Sequence, residues 1–463
     1  MALSLNDWLS IPTLDIRGPR GSLSAAEARE RSASVLNGIR MDYERVIFST
    51  WALSSESALV LGDVIRRLPH LRSLVISDII AGRPDAEGIA VYRALSAAME
   101  GRLVEEVDLS DNALGLRGVD ACGNILKGQT SLKRLYFNNN GISSEAARGI
   151  ADLVLCKVPT QLRILHFSNN MSGGGGSIAI ADIVSASPNL EDFKFESSRG
   201  TQVGGEALAR ALAATPALKR LSLHDNLFGA TSAATLALSL ASHASLTWLD
   251  LGDIIMRDGG ICAMVRAMPG WVAPLEFLDV SENELGPVGG AALALALAHY
   301  LPGLRVLKAQ GNAFEEEGGK AVCGGLIKRR EALNGKSDPL CDVNFSACSL
   351  GSKIACLLVR LAVANLPSLK YIDISENEIT PSSLELAKNF VASAGLPADT
   401  LVCDEGEGGE EKEEEGLDPT PSQLLSIEAL EKFAAKEGVR PGIPTKSDMD
   451  AVKAGLQAGA LCL

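Results

Sequence analysis

Apolar residues along this chain return in a fixed phrase, L-x-x-L-x-L-x-x-N, intact or degraded, thirteen times. The clearest copies are Val104-Glu-Glu-Val107-Asp-Leu109-Ser-Asp-Asn112 and Leu218-Lys-Arg-Leu221-Ser-Leu223-His-Asp-Asn226. Others start at Leu132, Leu162, Leu275, Leu304 and Leu369, with weaker copies at Ile11, Tyr43, Leu71, Leu190, Leu246 and Leu340. From Leu162 to Leu304 the starts are 28 or 29 residues apart, the period of leucine-rich repeats. Alternation at Leu135-Tyr-Phe137 or Leu278-Asp-Val280 predicts a short strand in each copy. The segments that follow, "SEAARGIADLV" or "PVGGAALALALAHYL", have helical spacing, and the first carries a serine suited to an N-cap. The predicted fold is therefore α/β, a leucine-rich-repeat solenoid. Its parallel strands would line the concave face of a horseshoe or crescent and its helices the convex face. Such a surface is built for docking, so the functional question is which partner it holds.

The recurring asparagines 112, 140, 170, 226, 283, 312 and 377 have a structural task. Each is expected to turn inward after its strand and bond backbone groups that burial would otherwise leave unpaired. Cys348 stands where other copies carry Asn.

The repeats fade at both ends. Residues 1–40 read as an N-terminal cap with a first degenerate repeat, and 41–402 as the repeat domain. Within the latter, "STWALSS" lacks the asparagine and "REALNGKSDP" widens the unit between Leu304 and Leu340. Residues 403–420 read as an acidic, unstructured linker. Residues 421–463, with Leu425, Leu430 and Phe433 at roughly helical spacing, read as a small helical segment.

Net charge is −14, and Asp404–Glu415, with eight acids and one lysine, supplies half of it. That balance argues against nucleic acid and for a basic protein as partner. The nine cysteines are dispersed without a C-x-x-C pair, so reduced thiols are expected and no zinc site. No signal peptide is visible at the N-terminus, and "IACLLVRLAVANL" is too short to span a bilayer. The five histidines fall in different repeats with no nucleophile motif beside them. Gly173–Gly176 lacks the lysine of a phosphate loop. Lys328-Arg329-Arg330 is most simply explained by the dipole at a helix end. An active site within this chain, a cofactor or a metal is not expected.

Two places break the repeat's own logic. In "LVISDIIAGRPDAEGI" the ladder position is Ile79, and an extended loop presents Arg83. In "LYFNNNGIS" Asn140 is the ladder residue, so Asn139 must point toward the rim, free to meet a partner. The same edge carries Asp78, Asp111, Glu196, Asp225, Asp253, Glu282 and Glu376, an expected complement for a basic surface.

These phrases, in this order and followed by an acidic run, resemble the Ran GTPase-activating protein family from about Leu14 to the acidic stretch. The 28–29-residue period also resembles the ribonuclease-inhibitor class of repeat. "SDIIAGR" is similar to that family's Gly-Arg loop, "LSDNALG" to its next repeat and "LYFNNNGI" to the one after. The resemblance implies that Arg83 and Asn139 are needed for activity and that the partner is a Ran-type GTPase in its GTP form. It further implies that no arginine finger enters the GTP site. The activator instead orders the switch region so that the GTPase's own glutamine positions the attacking water, which suits a reaction needing positioning and electrostatics. Expected with it are a monomer, no membrane insertion, and a cytoplasmic location with the nuclear envelope as alternative. The rival reading is a repeat scaffold or inhibitor that holds a basic protein without activating it.

Overall fold

A computed structural model describes residues 10–404. The expected acidic linker from residue 405 onward and the expected helical segment at 421–463 lie outside the described residues. By packing, the chain divides into two units, Met1–Gly200 and Thr201–Leu463.

In the first unit, strands Thr13–Asp15, Arg45–Ile47, Ser73–Val75, Glu106–Asp108, Arg134–Tyr136, Ile164–His166 and Asp192–Lys194 pair in parallel, each with the next. In the second, Arg220–Ser222, Trp248–Asp250, Phe277–Asp279, Val306–Lys308, Asp342–Asn344, Tyr371–Asp373 and Leu401–Val402 do the same. Every one of these strands but Leu401–Val402 begins two residues after a start of the repeated phrase, while Gly21–Leu23 and Trp51–Leu53 form a separate parallel pair. The reason is the pleat. The central residue of each, such as Leu135 or Leu278, is buried toward the helices, and its two neighbours face the other way. Helices such as Ser144–Val154 and Pro287–His299 return the chain to the next strand. Ser143 caps the former, its side chain accepting from the Ala146 N–H.

The ladder asparagines are buried, and they bond backbone groups as the pattern requires except at Asn140, whose Oδ1 accepts but whose Nδ2 has no partner among the described residues. Asn112 Oδ1 accepts from the Ile79 N–H at 3.0 Å, and its Nδ2 donates to the carbonyls of Ile76 and Leu109, both at 2.9 Å. Asn283 likewise accepts from the N–H groups of Ile254 and Met256 and donates to Leu251. In Cys348 the thiol takes this place, 3.3 Å from the carbonyls of Ala309 and Ser346. "STWALSS" holds a substitute that sequence reading missed. Trp51 sits at the ladder position and its indole Nε1 donates to the Ile16 carbonyl at 2.6 Å. That carbonyl lies at the same repeat position as the Ile76 carbonyl used by Asn112.

Arg329 corrects the dipole explanation for Lys328-Arg329-Arg330. Helix Glu315–Ala332 runs 18 residues, long enough to carry Arg329 into the interior, where its side chain is 1% exposed. It pairs with Asp338 of the insertion at 2.7 and 2.8 Å. It also donates to the carbonyls of Leu297 and Leu301 at the end of helix Pro287–His299. The insertion thus supplies the counter-charge for a buried guanidinium that satisfies a neighbouring helix terminus.

Candidate protein-docking rim

After each strand the chain turns out once before the ladder residue turns in. That outward residue is in the left-handed region in repeat after repeat: in the first unit Thr50, Asp78, Asp111, Asn139, Asn169 and Ser197, with φ between 46° and 65°. Asn and Asp tolerate this conformation better than other side chains with a Cβ, which explains their frequency here. The backbone N–H of each of Asp78, Asp111, Asn139 and Asn169 donates to a carbonyl of the following repeat, at 2.8–3.1 Å. The rim is a fixed edge.

Asn139 stands on this edge, exposed, while Asn140 beside it is buried. Its Nδ2 donates to Asp111 Oδ1 at 3.0 Å, and its Oδ1 accepts from Asn169 Nδ2 at 2.9 Å. Asn169 was not singled out in the sequence. The doubled asparagine in "FSNN", repeating "FNNN" one unit later, was the available signal.

Arg83 is placed differently from expectation. Gly82, at φ +70°, turns the loop back, and the Arg83 N–H donates to the Ile80 carbonyl. The side chain, 19% exposed, is laid against the preceding repeat rather than presented by an extended loop. Its Nη2 donates to the Ala52 carbonyl at 2.7 Å, and Nη1 lies 3.8 Å from the Glu87 carboxylate. Its Nε is buried without a partner among the described residues. The strands preceding Arg83 and Asn139 are separated by one other, Glu106–Asp108, so the two repeats are on the order of 10 Å apart along the sheet.

The acids divide. Asp78 and Asp111 occupy rim positions in the first unit, and Asp78 lies 3.6 Å from the Arg20 guanidinium. Asp225, Asp253, Glu282 and Glu376 occupy the same positions in the second unit. Glu196 does not. The outward residue of its repeat is Ser197, because "FKFESS" places Glu196 one step earlier. There its carboxylate accepts from Ser168 Oγ at 2.9 Å and lies 3.5 Å from Lys194.

Along the strands of the first unit, charges pair across repeats. Arg72 bridges Glu44 and Glu105, and Glu105 also meets Lys133. Glu106 lies between Arg45 and Arg134. Burial raises the Asp108 carboxyl above its usual range. In the second unit, the hydrogen bond to Asp250 raises His224 to about 9, so it is a cation at neutral pH. Burial raises the thiols of Cys348 and Cys323 to about 12 and Cys356 to about 11, which makes them poor nucleophiles. No helix among the described residues is long and apolar enough to cross a membrane.

A family model described as leucine-rich repeat matches residues 273–294. The chain is 35% identical over 121 residues to RAN GTPase-activating protein 2 of Arabidopsis thaliana, covering 26% of this chain and 22% of the relative. It is 28% identical over 288 residues to the Ran GTPase-activating protein of Drosophila melanogaster, covering 60% and 48% respectively. Ribonuclease inhibitor of Sus scrofa is 27% identical over 361 residues, 71% of this chain and 75% of that one. The matched segments span less than half the length of the plant and fly relatives. On its strand order, its repeat and these likenesses, the chain is an α/β leucine-rich-repeat protein related in sequence to the Ran GTPase-activating proteins.

Proposed function

We propose that this protein is a GTPase-activating protein for a Ran-type GTPase in its GTP form and acts from the rim of its first unit. The observation that carries the reading is Asn139, an exposed amide held by side chains of two adjoining repeats, in the phrase that resembles the family's. A plain scaffold has no need of it. In this reading the chemistry occurs in the partner's active site. The rim orders the switch region, and the GTPase's own glutamine positions the water, so the activator contributes preorganised polar groups. Arg83, anchored to the Ala52 carbonyl, serves the footprint as a fixed guanidinium and does not insert as a finger. Rim acids Asp78 and Asp111 favour encounter with a basic surface, acting on association rate more than on affinity. The protein works as a monomer in the cytoplasm, in support of nucleocytoplasmic transport.

Single-turnover GTP hydrolysis by Ran, with and without this protein, is the test. The expected acceleration is several orders of magnitude, on the ~10⁵ scale of small-GTPase activators, with little effect on Ras-like or Rho-like GTPases. No acceleration of Ran at micromolar protein would leave the scaffold or inhibitor reading in its place.

A further inference from the structure

Three rim side chains of consecutive repeats form one hydrogen-bonded chain, Asp111···Asn139···Asn169. All three are exposed, and all are in the left-handed region at φ 54–61°. The direction of the chain follows from its acidic end. An ionised carboxylate only accepts, so Asn139 must turn its NH₂ toward Asp111 and its oxygen away. Asn169 must then offer an N–H to that oxygen. The polarity thus rests on the chemistry of Asp111 and not on telling amide nitrogen from oxygen.

We propose that Asn169 is a positioning residue for Asn139: the pair Asp111 and Asn169 selects one of the two orientations of the Asn139 amide. One Nδ2 hydrogen and one Oδ1 lone pair of Asn139 are then left for a partner, on known sides. The inference rests on the reading in which Asn139 meets the GTPase. In water these exposed bonds contribute little to folding. Docking expels the water and strengthens them, and an amide already oriented has no reorganisation left to undergo at the moment of reaction. The effect therefore belongs to the hydrolytic step at saturation and not to stability or encounter.

The test compares single-turnover hydrolysis by Ran·GTP with wild-type protein, Asn139→Ala, Asn169→Asp and the double variant Asp111→Asn/Asn169→Asp. Asn169→Asp keeps the shape and tolerates the backbone, but sets an acceptor against Asn139 Oδ1. The expected result is a saturating rate down roughly tenfold, the magnitude of one lost hydrogen bond, with half-saturating concentration and Tm nearly unchanged. The double variant keeps the net charge and restores both bonds with the chain reversed, so the amide is ordered the wrong way round and the rate stays low. A wild-type rate for Asn169→Asp, with Asn139→Ala slow, overturns the proposal. So does recovery in the double variant, which would show that holding the amide suffices. If wild-type protein fails to accelerate Ran, it is the functional reading that has failed. The Asn139 side-chain amide resonances then still decide the geometry: unchanged shifts in Asn169→Asp would show that no such chain exists.

Discussion

Asn139 and Asn140 are neighbours in sequence with opposite fates, and they offer the sharpest separation of docking from folding. Asn139→Ala is expected to cut activation of Ran by roughly 10²-fold, as when one transition-state-organising donor is removed, with Tm unchanged. Asn140 Oδ1 accepts the Asn112 N–H at 2.7 Å inside the core. Asn140→Ala should therefore lower stability by about 1–3 kcal/mol by orphaning that group, measured by denaturant unfolding. Equal stability losses in the two variants would overturn the assignment of faces. Arg83→Ala should remove most of the activation. Arg83→Lys should restore little of it, because an ammonium cannot hold the Ala52 carbonyl with one nitrogen while a second faces Glu87 in the fixed geometry of the guanidinium plane. A separate check concerns His224. Its folded pKa of about 9 lies above the ordinary value, so the contribution of its pairing with Asp250 is full below about pH 6.5 and is lost as pH rises through about 9. An NMR titration should place its midpoint near 9, and Asp250→Asn should bring it down toward the ordinary histidine range.

At the scale of single elements, the strand positions were legible because a period-2 strand and a fixed repeat leave little freedom. Thirteen phrase starts lie two residues ahead of thirteen strands. What was not legible depended on where long side chains go once neighbouring repeats stack. Arg329 looked like a helix-end charge and is a buried node. Trp51 looked like a missing asparagine and donates in its place. Arg83 looked presented and is folded back, and Glu196 was placed one residue out of register because its repeat ends in serines. Spacing fixes which residue faces which way, whereas the partners a side chain finds as the repeats stack appear only with the fold. The node can be tested: Arg329→Leu leaves the Asp338 carboxylate buried without its cation and should cost about 3–5 kcal/mol. Arg329→Leu/Asp338→Leu should recover much of that. Helix packing sets a second constraint that the sequence did show in its runs of small residues. A Cβ on Gly290 of helix Pro287–His299 would lie 2.8 Å from the Gly318 Cα of helix Glu315–Ala332. Gly290→Ala should therefore lower Tm despite alanine's better helix propensity.

For the molecule as a whole, charge is the property that reaches beyond contact. The stretch 405–415 holds seven acids and one lysine. Glu376 donates its N–H to Asp404, so truncation after Asp404 spares the last described contact of the repeats. That truncation should leave the saturating hydrolytic rate intact and slow association at low salt, with the difference fading as ionic strength rises. Loss of single-turnover hydrolysis at saturation would place the removed residues in the mechanism. The left-handed backbone of the rim has a further consequence, for how such an edge can change over time. Where the outward positions from Thr50 to Glu376 hold φ between 46° and 68°, bulky and β-branched side chains are penalised, and the vocabulary contracts toward short polar residues. New specificity on this edge is then written less by trading one large anchor for another than by choosing, repeat by repeat, among carboxylate, amide and hydroxyl. Because adjoining repeats can bond to one another, each choice also constrains its neighbour's, so the edge would drift as linked pairs and not as independent sites.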